Sequence, residues 1–111
     1  MKSKVYVPQE PSRFDPTFNA RVPIVDLRPA AAFGEVEVML PNNVTGMIMD
    51  PVVTALKEKL AKFTVDDYLV AIGDPSLIAA ASGIILPAQG SMKLLKWDKR
   101  LKQYSVVEIK L

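Results

Sequence analysis

The chain contains no cysteine and no histidine among its 111 residues. The first absence excludes a disulfide framework and any thiolate metal site. The second removes the commonest general base, the commonest zinc ligand and the one side chain that switches charge near neutral pH. A metal site would have to be built from oxygen alone, as for magnesium or calcium. The candidate carboxylates do not assemble one. Asp66 and Asp67 stand at the opposite end of an expected strand from Asp74, too far apart to share an ion. Glu35 and Glu37 fall on one strand face that reads as solvated. The sequence therefore offers no catalytic residues, no metal ligands and no cofactor motif. Lysine, aspartate and tyrosine can still catalyse, so the balance leans toward a non-enzymatic protein.

Long apolar runs are also missing. The most apolar stretch, Leu77 to Pro87, is interrupted by Ser82 and Gly83 and is about half the length of a membrane span. The opening MKSKVYVPQEP has no apolar core of the kind that marks a signal peptide. No membrane contact is expected, and the expected compartment is the cytoplasm.

Half of the residues are hydrophobic. A chain of this length forms one domain and buries about two-thirds of its unfolded surface. Prolines at positions 8, 11, 16 and 23 punctuate the first 23 residues. Each lacks a backbone donor and restricts its predecessor, so residues 1–23 are expected as an extended arm beside a single domain spanning 24–111. Phe14 and Phe18 should pin that arm to the domain. Within the arm, Val5 to Val7 reads as a short strand.

Ile24 to Leu27 reads as another short strand, and Pro29 to Phe33 as one helical turn closed by Gly34. Glu35 to Leu40 alternates polar and apolar until Met39, the pattern of a half-buried strand. Pro41 ends it, and Asn42-Asn43 opens a loop through Gly46. Asp50-Pro51 marks a helix start, because aspartate accepts first-turn amides and proline suits the first helical position. Val52, Val53, Leu56, Leu60 and Phe63 form one apolar stripe, which predicts a helix over 51–63. Tyr68 to Ile72 is continuously apolar, as in a strand covered on both faces. A second aspartate-proline start at Asp74-Pro75 predicts a helix over 75–86, ended by Pro87, with Gln89-Gly90 turning the chain. Met92 to Trp97 and Tyr104 to Ile109 flank a polar turn and read as an antiparallel hairpin. The alternation of strands and helices implies right-handed crossovers and a parallel sheet. The expected fold is α/β: a small Rossmann-like mixed sheet with three parallel strands, two main helices and a C-terminal antiparallel hairpin.

Two local patterns carry functional expectations. Ala71-Ile72-Gly73-Asp74-Pro75-Ser76 lies at a strand-to-helix turn, where open α/β sheets bind ligands and helix amides attract anions. Gly73, Asp74 and Ser76 are the candidate residues for a nucleotide or small anion. Asp74, however, competes for the same amides as a cap, and neither a GxGxxG nor a P-loop lysine is present. Helicases carry Gly-Asp-x-x-Gln after an apolar strand, but Leu77 stands at the glutamine position and no Walker motif precedes it. Tetrapyrrole methylases carry Gly-Asp-Pro, but on a chain about twice this length. Both likenesses fail.

The other pattern is electrostatic. The net charge is +2 overall, yet residues 92–111 carry six lysines and arginines against Asp98 and Glu108, a net of +4. Lys96, Lys99, Arg100 and Lys102 are the candidate nucleic-acid contacts, with Trp97 and Tyr104 as candidate stacking rings. Trp97 serves equally as a cross-strand partner of Tyr104 on the core face. In that case Lys96 points the other way and the stacking ring is lost.

The segments KVYVPQEPSRFDP, VDLRPAAAFGEVEVMLP, DDYLVAIGDPSLIAAA and LLKWDKRLKQYSVVEI together resemble small proteins without assigned activity encoded in tailed-phage genomes. The resemblance implies an accessory protein acting in a host cell and brings no catalytic residues with it. The leading expectation is a non-enzymatic binding protein with a protein partner or a second copy, meeting it through an exposed edge at Val5 to Val7 or Val106 to Ile109. Nucleic-acid binding and small-anion binding are the alternatives.

Overall fold

The computed structural model describes residues 3–41 and 49–111. Its main sheet has five strands: β1 (Lys4–Gln9), β4 (Glu35–Leu40), β5 (Tyr68–Val70), β6 (Ser91–Asp98) and β7 (Gln103–Lys110). They lie in the order β4-β1-β5-β6-β7. The first four are parallel, and β7 returns antiparallel to β6. A separate antiparallel pair, β2 (Ser12–Asp15) and β3 (Ala20–Pro23), forms a hairpin of its own. The fold is thus mixed α/β with two main helices and the expected C-terminal hairpin.

The expected arm is corrected at its start. Val5, Tyr6 and Val7 are buried because β1 is an interior strand between β4 and β5. It is not an edge open to a partner. Pro8 is tolerated there because the β1–β5 ladder has ended by Tyr6, opposite Leu69. No neighbour on that side awaits its missing N–H. Four parallel strands result, one more than expected. Ile24 to Leu27 forms no strand. It leads instead into a short 3-10 helix at Arg28–Ala32, whose Ala30 is buried against the sheet.

The two helices α1 (Met49–Lys59) and α2 (Pro75–Gln89) cover one face. Val52, Leu56, Leu60 and Phe63 meet Tyr6, Leu69, Leu77, Ile85 and Met92 there. The apolar stripe is as expected, but α1 stops at Lys59, and turns carry Leu60 and Phe63 into the core. Asp50 sits inside the first turn rather than ahead of it. The helix α2 runs through Pro87 to Gln89 and ends at Gly90, whose φ of 78° is the left-handed cap that glycine adopts without strain. Proline in the last turn removes one bond without halting the helix. The loop expected through Asn42, Asn43 and Gly46 lies outside the described residues.

The opposite face buries Val5, Val7, Val70, Leu95 and Tyr104 under Leu27, Ala30 and Phe33. Interior strands are therefore covered on both sides, which accounts for the unbroken apolar run of β5. No helix among the described residues is long and apolar enough to cross a membrane.

Candidate functional site

The connections leaving β1 and β5 diverge. The first passes through the β2–β3 hairpin and the 3-10 helix, and the second forms α2 on the other face. Their C-terminal ends are a topological switch point, and Gly73 lies there. Its φ of 90° suits glycine, and a Cβ would sit 3.5 Å from the Gln9 carbonyl oxygen and 3.7 Å from Pro11. Asp74 caps α2. Its Oδ1 accepts from the Ser76 amide at 2.9 Å and from the Ser76 hydroxyl at 2.7 Å. Those two bonds hold the Asp74 carboxyl below its usual range. The structure therefore brings Gly73, Asp74 and Ser76 together, with the last two bonded to each other. An incoming anion would meet a carboxylate already seated on the first amide.

At the opposite ends of the strands, a cavity of about 360 Å³ is lined by Lys4, Tyr6, Lys62, Thr64, Asp67 and Lys93, among others. Its charges are mostly spent. The Lys4 ammonium meets Glu37 at 2.9 Å. Lys93 lies over the Tyr68 ring, 4.4 Å from its centre. Asp67, the one buried carboxylate described, accepts from the Lys4 amide and the Thr64 amide, each at 2.8 Å. It ties β1 to the turn before β5. Asp66 is exposed beside it. Among the described residues no three carboxylates gather as metal ligands would.

The basic hairpin tip follows strand alternation. Trp97 and Tyr104 are cross-strand partners, with ring centres 5.0 Å apart in an edge-to-face contact at 67°. Tyr104 is buried and Trp97 half-buried. Lys96 is exposed on the other face, opposite Ser105. Asp98 Oδ1 accepts from the Arg100 and Leu101 amides at 2.9 and 3.0 Å, which fixes the turn. Lys102 takes a left-handed φ of 52°. A concavity of about 450 Å³ runs past Lys96, Trp97, Asp98, Lys99 and Arg100. Among the described residues none of Lys96, Lys99, Arg100 and Lys102 forms an ion pair, whereas Lys4, Arg13, Arg28 and Lys110 do.

The fourth surface was not legible as such. Phe14 is 53% and Phe18 71% exposed, so the two rings do not pin the N-terminal segment to the domain. They ride on the β2–β3 hairpin, whose packing is chiefly internal. Phe14 lies opposite Arg21. The Arg21 guanidinium donates to the Ser12 hydroxyl and carbonyl at 2.9 and 2.8 Å. Ile24, just beyond β3, is 54% exposed. The available signal was that each phenylalanine stands alone among polar and small residues, with no large apolar side chain two or three positions away to share a buried face. No curated protein and no solved structure matches the chain. A family model does match it over residues 3–111, a span that takes in β1 through β7, and by that match the chain belongs to the phage Pam3 gp32-like proteins.

Proposed function

We propose that this phage-family protein is a non-enzymatic accessory protein that acts by holding another protein, with the β2–β3 hairpin as its contact. The observation that carries this reading is the exposure of Phe14 and Phe18 on a hairpin outside the main sheet. Two large rings in water cost apolar burial. Aromatic and arginine side chains are the types enriched where proteins meet, and Arg13 and Arg21 flank Phe14 in the hairpin. An isolated two-stranded hairpin is only marginally stable, so a partner that covers it also stabilises it. The chemistry fits an apolar socket rimmed by carboxylates. The test is a photo-crosslinking residue placed at Phe18 during phage infection, with the same residue at Val65, an exposed apolar position elsewhere. The expected result is one discrete adduct from position 18 and none from position 65. Adducts from neither, or equally from both, overturn the reading.

A second reading rests on the unpaired cations of the β6–β7 tip. It is electrostatic binding of nucleic acid by Lys96, Lys99, Arg100 and Lys102. The half-buried Trp97 leaves little ring for base stacking, so this binding is weak and salt-sensitive. With four phosphate contacts at most, affinity for duplex DNA falls about a hundredfold between 50 and 200 mM salt, the behaviour of counterion release. Binding to single- and double-stranded DNA and RNA is compared for wild type and a Lys99→Glu, Arg100→Glu, Lys102→Glu variant. Equal binding by both, or none by either at low salt, ends this reading.

A further inference from the structure

The strand β7 is an edge of the main sheet, and one hydrogen bond shows which of its residues face outward. The Leu111 amide donates to the Gly90 carbonyl at 3.0 Å, so position 111 points toward β6. Backbone direction alternates along a strand. Gln103, Ser105, Val107 and Ile109 therefore bond β6, while Tyr104, Val106, Glu108 and Lys110 turn their N–H and C=O groups away from it. Little in the middle of this eight-residue strand blunts the edge, since its one internal charge, Glu108, is met by Lys110 of the same strand at 3.6 Å. It has no proline, its lysine comes only at the end, and Val106 and Val107 are 46% and 40% exposed, one on each face. The other edge is different. The strand β4 has six residues, carries Glu35 and Glu37, and is followed at once by Pro41.

We infer that β7 pairs antiparallel with β7 of a second copy of this chain, joining two five-stranded sheets across a two-fold axis at Val107. The register follows from which backbone groups are open. Only the even-numbered residues can exchange bonds, so the axis must place them opposite one another. With the axis at Val107, Val106 faces Glu108 of the partner subunit and Tyr104 faces Lys110 of the partner subunit. Every residue from 103 to 111 is then matched. Moving the axis to Glu108 sets two like charges directly opposite. Moving it to Val106 leaves Lys110 and Leu111 without partners in the strand. Each Glu108 also keeps its own Lys110 at 3.6 Å, which offsets the diagonal approach of the two Glu108 side chains. A two-fold pairing closes on itself and does not grow into a filament. The two Val107 residues face each other as a pair without mutual backbone bonds, the closer kind, with Cα atoms about 4.5 Å apart. That separation lies within the range a disulfide spans.

The chain's lack of cysteine makes the test clean. Val107→Cys introduces a single thiol at the axis, and Lys57→Cys, on the exposed side of α1, provides a control. Under mild oxidation Val107→Cys is expected to form a disulfide-linked dimer at least about tenfold faster, because pairing raises the effective thiol concentration toward the millimolar range. Sedimentation of the unmodified protein is expected to show a monomer–dimer equilibrium, shifted to monomer by Val107→Lys with an unchanged circular dichroism spectrum. Equal oxidation rates for the two cysteine variants, a strict monomer at all concentrations, or open-ended polymers would each overturn the proposal. If Val107→Lys fails to fold, the comparison of the two cysteine variants decides alone.

Discussion

Single atoms decide more of this fold than its composition suggests. Gly34 lies where β1 and β4 begin to pair. The Glu35 amide donates to the Ser3 carbonyl at 3.0 Å, and a Cβ on Gly34 would collide with that same carbonyl. The obstacle is backbone and cannot rotate away. Gly34→Ala is therefore expected to cost about 1–3 kcal/mol, the range for overpacking a closed site. A urea midpoint unchanged from wild type would refute this. Tyr104 presents the reverse case. Its ring is buried against Trp97, yet its hydroxyl is buried without a hydrogen-bond partner among the described residues. A buried polar atom left unpaired costs about 1–3 kcal/mol. Tyr104→Phe keeps the ring and removes that cost, so it is expected to stabilise the protein by about 1 kcal/mol in denaturant unfolding. A clear loss of stability would show that the hydroxyl is satisfied in solution.

At the level of elements, the β2–β3 hairpin is paired within itself but lightly attached to the rest. Phe14 and Phe18 are more than half exposed, so a Phe14→Ser, Phe18→Ser variant should unfold within about 0.5 kcal/mol of wild type, as surface changes do. A cost of several kcal/mol would mean that the rings pack on the domain after all. The expectation that they did pack there came from their apolar character alone, which says that burial is favourable but not what is at hand to bury them. Among the elements that read correctly, three have an internal period. The stripe of α1, the alternation of β4 and the paired β6–β7 segments each repeat a spacing that only one geometry satisfies. The errors lie where a local rule met a tertiary context. Pro8 helped mark residues 1–23 as an extended arm, but the ladder beside it had already ended and the strand before it is interior. Pro87 argued for a helix end, but Gly90 supplies the cap one turn later. The Gly73-Asp74-Pro75-Ser76 turn was legible as both cap and candidate site. The cap is visible in bond lengths, whereas the exposed hairpin surface required knowing which strands share a sheet.

For the whole molecule, the missing histidine and cysteine leave no side chain whose ordinary pKa lies between the carboxylates and the phenols and lysines. Stability should therefore change little across the neutral range and fall at both ends, each for an identifiable cause. On the acid side, Arg28 lowers the Asp26 carboxyl to about 2 by bonding and charge, and Ser76 lowers that of Asp74. A depressed carboxyl favours the folded state above its unfolded pKa of about 4. That contribution is lost as pH drops toward the folded value, because the unfolded chain takes up the proton first. Both groups are solvent-exposed, so the acid decline from this source is shallow and softens further with salt. On the alkaline side, burial raises the phenols of Tyr6 and Tyr104, with nearby carboxylates adding to it and the Lys4 ammonium opposing it at Tyr6. A raised phenol favours folding below its unfolded pKa of about 10. Above that value the unfolded state releases its proton while the folded state still holds it, and stability drops as pH rises through the folded value. The thermal midpoint is thus expected to be nearly level from about pH 5 to pH 9 and to fall beyond either limit. Tyr104→Phe should soften the alkaline decline and leave the acid one unchanged. A steep change of midpoint near pH 6 to 8, or an alkaline limb identical in wild type and Tyr104→Phe, would contradict this account.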